Sequence, residues 1–380
     1  MKPGGPLGEL LDLETIDGAA IDAFLTDRWF PLVEESQATF VYRGEADEVN
    51  LRHWIYGLQS SQPFTRVEGT DLWYLVMELP DCSRVEYKIE LIRGDGIQWI
   101  RDPLNDQLAH DPFGANSVAH GKGYAFPSWA EHDSEARPGT LQDVVFNSKR
   151  LGGPQHVKVY LPARFRSRRR YPLIVVHDGP DYVRFAALKI VLDNLIHRQE
   201  IPPVIAALTH SHDRLKYYGA HADHARYVVD ELVPRLEKAY PLVDRPSARA
   251  LMGASFGAVA SLHTAWSNPG YFGKVLVQSG SFAFSDIGKH RRGPAFDPVV
   301  EWMNAFRADP GRPTDQIFVS CGTYESLIYE NRSVIPLLQS TGMQVRYVEA
   351  RDGHNWENWR DRLREGLSWL FPGPLWMVYE

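Results

Sequence analysis

Residues 253–262 read GASFGAVASL, a G-x-S-x-G pattern centred on Ser255. A serine in that pattern becomes a nucleophile when the chain turns so tightly around it that the hydroxyl stands clear of the backbone, within reach of a base. Such a turn tolerates only small neighbours, and Gly253, Ala254, Gly257 and Ala258 meet that demand. An ordinary glycine-rich strand–helix turn would read the same way, so the partners decide. The stretch RDGHNWENW places His354 just after the last predicted strand, and QIFVSCGTYESLIYEN places Glu325 three residues beyond Gly322. The chain order serine, acid, histidine is that of hydrolases built on an open α/β sheet. Glu330 would already lie inside a helix, and Asp352 is too close in sequence to His354 to come from a separate loop, so Glu325 is the expected acid. The three residue types together can do acyl transfer: Ser255 attacks, His354 takes its proton, and Glu325 orients the imidazole. An oxyanion formed on the way needs amide donors. The Phe256 N–H opens the helix after the serine. A second donor should come from the loop HDGPDY, where Pro180 has no N–H and Asp178 or Gly179 remains.

These residues need elements to hold them, and the chain has two parts of different pattern. Residues 38–126 contain ATFVYRG, VNLRHWIYG, DLWYLVMELP and VEYKIELIRG, short β-branched and aromatic runs closed by Gly, Pro, Asp or Asn. They predict an antiparallel β-sandwich of immunoglobulin-like type. Residues 1–37 read as a helical lead-in and 127–140, with two prolines, as a linker. From 141 to 373, apolar runs such as YPLIVVHDG, PPVIAALTH, KVLVQSGS and QIFVSCG alternate with helical patterns. This predicts a mostly parallel sheet flanked by helices. RALMG before the motif and FGAVASLHTAW after it supply the strand and helix that the turn requires. WENWRDRLREGLSWLF closes the domain as an amphipathic helix, with Trp356, Trp359, Leu363, Leu367 and Leu370 on one face.

Composition narrows the function classes. The chain has 380 residues, 44% hydrophobic and 23% charged, with a formal net charge of −7. That balance argues against general nucleic-acid binding, which needs a basic surface to displace counterions. The two cysteines, Cys82 and Cys321, make neither a disulfide framework nor a zinc set. The first 25 residues lack the apolar core of a signal peptide, and no apolar run approaches membrane-spanning length, so a cytoplasmic location without a membrane partner is expected. His210, His212, His221 and His224 have spacings a metal could use, but no carboxylate cluster completes a set. Solvated loop histidines, and no metal or other cofactor, are expected.

Together, VVHDGPDY, DELVPRLEKAYPL, GASFGAVASL, VLVQSGSF, CGTYES and DGHNWENWRDRL resemble the enterochelin (enterobactin) esterase and esterase-D-like branch of α/β-hydrolases. TFVYRG, GTDLWYLVMELP, VEYKIEL and RDPLND resemble the N-terminal domain of enterochelin esterases. The resemblance spans about residues 38–371. It implies a serine esterase acting on the trilactone or linear esters of a catecholate siderophore and releasing iron inside the cell. Two positions depart from the family: Ala258 follows Gly257 where a second glycine is usual, and SGSFAF lacks the usual paired tryptophans. For a bulky anionic ester the resemblance implies a positively charged rim. Arg291 and Arg292 in GKHRRG, Arg214 in HDRLKYY, and Phe282 are the expected substrate contacts, while RFRSRRR is expected to be a solvated face. The first domain is expected to cap the pocket or support a homodimer. Rival readings are an acyl or feruloyl esterase, a carbohydrate-directed enzyme, and a non-enzymatic binding protein on a hydrolase scaffold.

Overall fold

The computed structural model describes residues 4–285, 290 and 292–374. It divides into two compact units. The first comprises residues 1–125 together with two short later segments, 323–326 and 350–355; the second comprises the remainder.

In the first unit, alternation builds two antiparallel sheets. One has the strand order Leu32–Glu34, Gln37–Arg43, Leu72–Glu78, Thr65–Arg66; the other runs Ser61–Pro63, Glu48–His53, Arg84–Arg93, Gly114–His120, Leu108–Asp111. The strand Arg84–Arg93 shows why the sheets pack. Val85, Tyr87, Ile89 and Leu91 are buried while Glu86, Lys88 and Glu90 stay at the margin, the period-2 pattern of a strand with one face inward. Phe40, Tyr42 and Trp73 from one sheet meet Val49, Leu51, Tyr87 and Ile89 from the other in a shared core. Residues 1–37 hold two helices, Gly5–Leu11 and Gly18–Leu25, besides the first short strand. Leu7, Ile21 and Phe24 of those helices bury against Val41 and Leu72.

The second unit is built on eight strands: β1 Thr140–Asn147, β2 Pro154–Leu161, β3 Leu173–Val176, β4 Ile205–Leu208, β5 Arg249–Ala254, β6 Lys274–Gln278, β7 Gln316–Gly322 and β8 Gln344–Ala350. Their order is β1-β2-β4-β3-β5-β6-β7-β8. β1 and β2 pair antiparallel, β2 joins β4 antiparallel, and β4, β3, β5, β6 and β7 run parallel. The central strands are buried throughout, as LIVV and IAAL require, because helices cover both faces. Val175, Leu251 and Val277 face a core closed by the helices Phe256–Ser267, Asp297–Ala308 and Ile328–Ser340. Ile174, Val176, Ala250 and Met252 face the opposite core, closed by Leu188–His197 and Trp356–Leu370. Trp359, Leu363, Leu367 and Leu370 of the last helix are buried there. This is an α/β-hydrolase fold with an N-terminal sandwich. No helix among the described residues is long and apolar enough to cross a membrane.

Candidate active site

Strand β5 ends at Ala254 and the helix Phe256–Ser267 begins two residues later, so Ser255 alone makes the turn. Its backbone sits at φ 57°, ψ −121°, a conformation an L-residue holds only under strain. The turn is so close that a Cβ on residue 253 would lie 2.3 Å from the Gly257 carbonyl oxygen; glycine is obligatory there. The Ser255 N–H is anchored on the Gln278 carbonyl at 3.0 Å, fixing the turn to the end of β6. The Ser255 Oγ lies 3.2 Å from the hydroxyl of buried Ser281. The Phe256 N–H belongs to the first turn of its helix and so has no acceptor within that helix.

Beneath the turn runs a buried polar chain. The Ser261 hydroxyl donates to the Gly257 carbonyl at 2.8 Å. With that proton committed, its oxygen accepts from His177 Nδ1 at 2.9 Å, and His177 Nε2 then accepts from His224 Nε2–H at 2.9 Å. Both rings are fully or almost fully buried. Burial holds both imidazoles neutral: it pushes His177 down to about 4 and His224 well below its ordinary value. The chain joins the turn's helix to the loop after β3.

That loop carries the expected second oxyanion donor, and here the expectation needs correction. The Gly179 N–H donates to the Thr209 carbonyl at 2.9 Å, so it is already committed. Residue 179 is glycine because a Cβ would meet the Leu208 Cα at 2.4 Å. The Asp178 N–H has only a long contact, 3.4 Å, to the Tyr218 hydroxyl. Asp178 itself is buried, and desolvation raises its pKa against the opposing pull of Arg214. Arg214 Nε donates to its carboxylate at 2.8 Å and Nη2 reaches the Ala254 carbonyl at 3.4 Å. Arg214 was expected at a substrate rim. The structure gives it a partner inside the fold, tying the oxyanion loop to the nucleophile turn. Asp178, Asp181 and His210 bring ligand atoms within 4.8 Å of one another, but the Arg214 guanidinium on Asp178 opposes a second cation.

Within the first unit, His354 Nδ1 meets Glu325 Oε2 at 2.6 Å, with Glu325 buried and His354 about one-third exposed. A carboxylate on Nδ1 fixes the proton there and leaves the Nε2 lone pair as the basic position. The loops carrying the two residues are stitched together: the Thr323 N–H donates to the Ala350 carbonyl at 2.8 Å and the Tyr324 N–H to the Asp352 carbonyl at 3.1 Å.

The remaining expected contacts fare differently. Phe282 is fully buried in the core under the sheet; it presents no surface to a substrate, because the chain after β6 folds inward. Arg292 forms an ion pair with Glu330, which lies in the helix Ile328–Ser340, and stacks its guanidinium over Phe296. Arg291 lies outside the described residues. The RFRSRRR stretch has exposed arginines; Arg164, Arg166 and Arg169 line a cleft of about 930 Å³ together with Tyr160 and Tyr171. Sequence reasoning missed Ser281 and His177, and expected His224 to be a solvated loop histidine, whereas it is buried in the helix Ala222–Arg226. The only signals of Ser281 and His177 were the SGS after a predicted strand and a histidine ending an apolar run.

The Esterase family model matches residues 148–370. The iron(III) enterobactin esterase of Escherichia coli strain CFT073 is 26% identical over 348 residues, covering 83% of this chain and 85% of that protein. The uncharacterised protein YjcH of Bacillus subtilis is 30% identical over 238 residues, 60% of this chain and 97% of its own. Among solved structures, an enterobactin esterase from Shigella flexneri, determined in the presence of enterobactin, superimposes with a TM-score of 0.74 at 23% identity, covering 94% of this chain and 99% of that one. The fold, the family match over more than half of the chain and the enterobactin esterase relatives lead to one conclusion: the chain belongs to the esterase family of α/β-hydrolases and is a carboxylic ester hydrolase.

Proposed function

We propose that this protein is a serine esterase that hydrolyses the ester bonds of a catecholate siderophore of the enterobactin type, freeing its iron. The observation that carries the catalytic part is the strained turn at Ser255, held at φ 57° between a buried strand and a helix. In this reading Ser255 Oγ attacks the ester carbonyl carbon while His354 Nε2 takes its proton, and Glu325 on Nδ1 stabilises the imidazolium. The Phe256 N–H, with the Asp178 backbone N–H as its partner, stabilises the negative oxygen of the tetrahedral intermediate. His354 returns the proton to the departing alkoxide, leaving an acyl-enzyme on Ser255. Water, deprotonated by His354, attacks that ester, and the acid leaves as Ser255 recovers its proton. No metal or organic cofactor enters any step; the iron is cargo.

The substrate class is supported by the 26% identity to iron(III) enterobactin esterase over most of both chains. The test is hydrolysis of enterobactin, free and ferric, beside p-nitrophenyl acetate and butyrate, with wild type and Ser255→Ala. The expected result is trilactone cleavage well above that of the simple esters, lost in the folded variant. Cleavage of the simple esters alone would overturn the siderophore reading. Undiminished activity of Ser255→Ala would overturn the nucleophile.

A further inference from the structure

The first unit holds an ion pair that nothing in the reaction scheme uses. Arg84, at the start of the strand Arg84–Arg93, is 1% exposed. Its Nη1 donates to Asp352 Oδ1 at 3.1 Å and to Asn355 Oδ1 at 2.9 Å, and its Nη2 donates to Glu86 Oε1 at 3.0 Å. Its own N–H donates to the Arg351 carbonyl at 2.9 Å. Asp352 and Asn355 bracket His354. Asp352 Oδ1 also accepts from the Gly353 N–H at 2.7 Å and from Asn355 Nδ2 at 2.8 Å, so one guanidinium organises the whole turn on which the imidazole stands. The acid loop is fastened in the same unit. The Tyr324 hydroxyl bonds the Ser83 hydroxyl at 2.8 Å, and the Tyr324 carbonyl accepts from the Tyr56 N–H at 2.7 Å.

We propose that Arg84 is a positioning residue: by holding Asp352 and Asn355 on either side of His354, this sandwich arginine sets the imidazole against Glu325 in its productive orientation. The proposal rests on His354 and Glu325 being the base and acid proposed above. Physical economy favours it. A buried ion pair is poor value as a stabiliser, because desolvating both charges offsets their attraction, and a well-packed apolar pair does as well. What a planar, five-donor fork does better than any apolar group is to fix several acceptors in one geometry. A loop histidine needs that, since a misplacement of about 1 Å costs about a hundredfold in rate.

The experiment compares wild type, Arg84→Ala and the double variant Arg84→Met with Asp352→Leu, which removes both charges while refilling the space. Two readouts are taken on protein shown to be folded by circular dichroism and melting. The first is kcat and KM on p-nitrophenyl acetate. The second is the downfield proton resonance of the His354 Nδ1–H held by Glu325. For both variants the expected result is kcat lower by about 10- to 100-fold with KM within about twofold, and loss or broadening of the downfield proton. Millimolar methylguanidinium should restore part of both signals in Arg84→Ala, whose cavity it can refill. A role in stability alone would lower the melting temperature and leave kcat, measured well below it, unchanged. Wild-type kcat together with a wild-type proton resonance in either folded variant would overturn the proposal. If Arg84→Ala does not fold, Arg84→Lys, which keeps the charge and Asp352 but loses the planar fork, is read in the same way. The proton resonance keeps the two readings separable: a wild type that cleaves no ester defeats the esterase reading, while the resonance still reports whether Arg84 holds the His354–Glu325 pair.

Discussion

At the scale of single residues, Ser255 carries a conformational cost that only function explains. Held at φ 57°, ψ −121°, a residue with a Cβ stores about 1–3 kcal/mol, which glycine would not incur. We therefore expect Ser255→Gly and Ser255→Ala to be equally inactive but unequally stable. Glycine should be the more stable by about 1 kcal/mol, the relief of strain being offset in part by its greater unfolded-state entropy. Urea unfolding of the two variants measures this, and an alanine variant as stable as the glycine one would show that the turn is relaxed. The strain was legible in GASFG because small residues crowd one position. The roles of Arg214, Gly179, Phe282 and Arg292 were not. Each is decided by a partner distant in sequence: Asp178, Thr209, the sheet core and Glu330 respectively. A basic residue near a site looks the same on paper whether it faces a ligand or a buried carboxylate. The backbone acceptor that occupies an amide leaves no trace in local sequence.

At the scale of elements, the nucleophile turn depends on how its helix docks. Ten residues of Phe256–Ser267 are buried, so the helix is fixed by packing rather than by propensity, and the polar chain Gly257–Ser261–His177–His224 orients it about its axis. Ser261→Ala removes the middle link and leaves His177 Nδ1 only its 3.3 Å contact to the Met252 carbonyl. A loss of about 1–3 kcal/mol is expected, the range for stranding a buried polar group, with a smaller effect on turnover than at Ser255. Denaturant titration checks it; a loss below about 0.5 kcal/mol would mean that the chain is incidental. The parallel strands and the closing helix were readable, because uninterrupted apolar runs and a 3.6-residue stripe each have one good solution. Strand order was not, since every buried strand shows the same apolar run. Nor was the π-helical turn Tyr227–Leu232, whose sequence keeps ordinary helical spacing.

At the scale of the whole molecule, acid should unfold this protein through its histidines. Burial pushes His177 and His263 down to about 4 and His224 well below its ordinary 6.5. For each, the folded chain refuses a proton that the unfolded chain accepts. The stability this represents is complete above pH 6.5 and is lost as the pH falls toward 4. Asp352 works in the opposite sense. Burial raises it from 3.8 to about 6, more than the Arg84 charge lowers it, so its contribution is present below 3.8 and is lost as the pH rises through 6. Asp102 and Asp178, also raised by burial, work in the same sense as Asp352, so the net slope is the balance of the two sets, to which each buried histidine contributes about 1.4 kcal/mol of stability per pH unit near pH 5. His263 is the member to change. It contacts Ser267, Trp266 and Trp302, and phenylalanine fills nearly the same volume. His263→Phe should behave as wild type at pH 7 within about 1 kcal/mol and lose stability more slowly below it. Its slope of unfolding free energy against pH should be smaller by about one proton, or about 1.4 kcal/mol per unit. Urea unfolding at pH 7, 6 and 5 reads the slope directly, and parallel lines for variant and wild type would mean that His263 accepts its proton in the folded state.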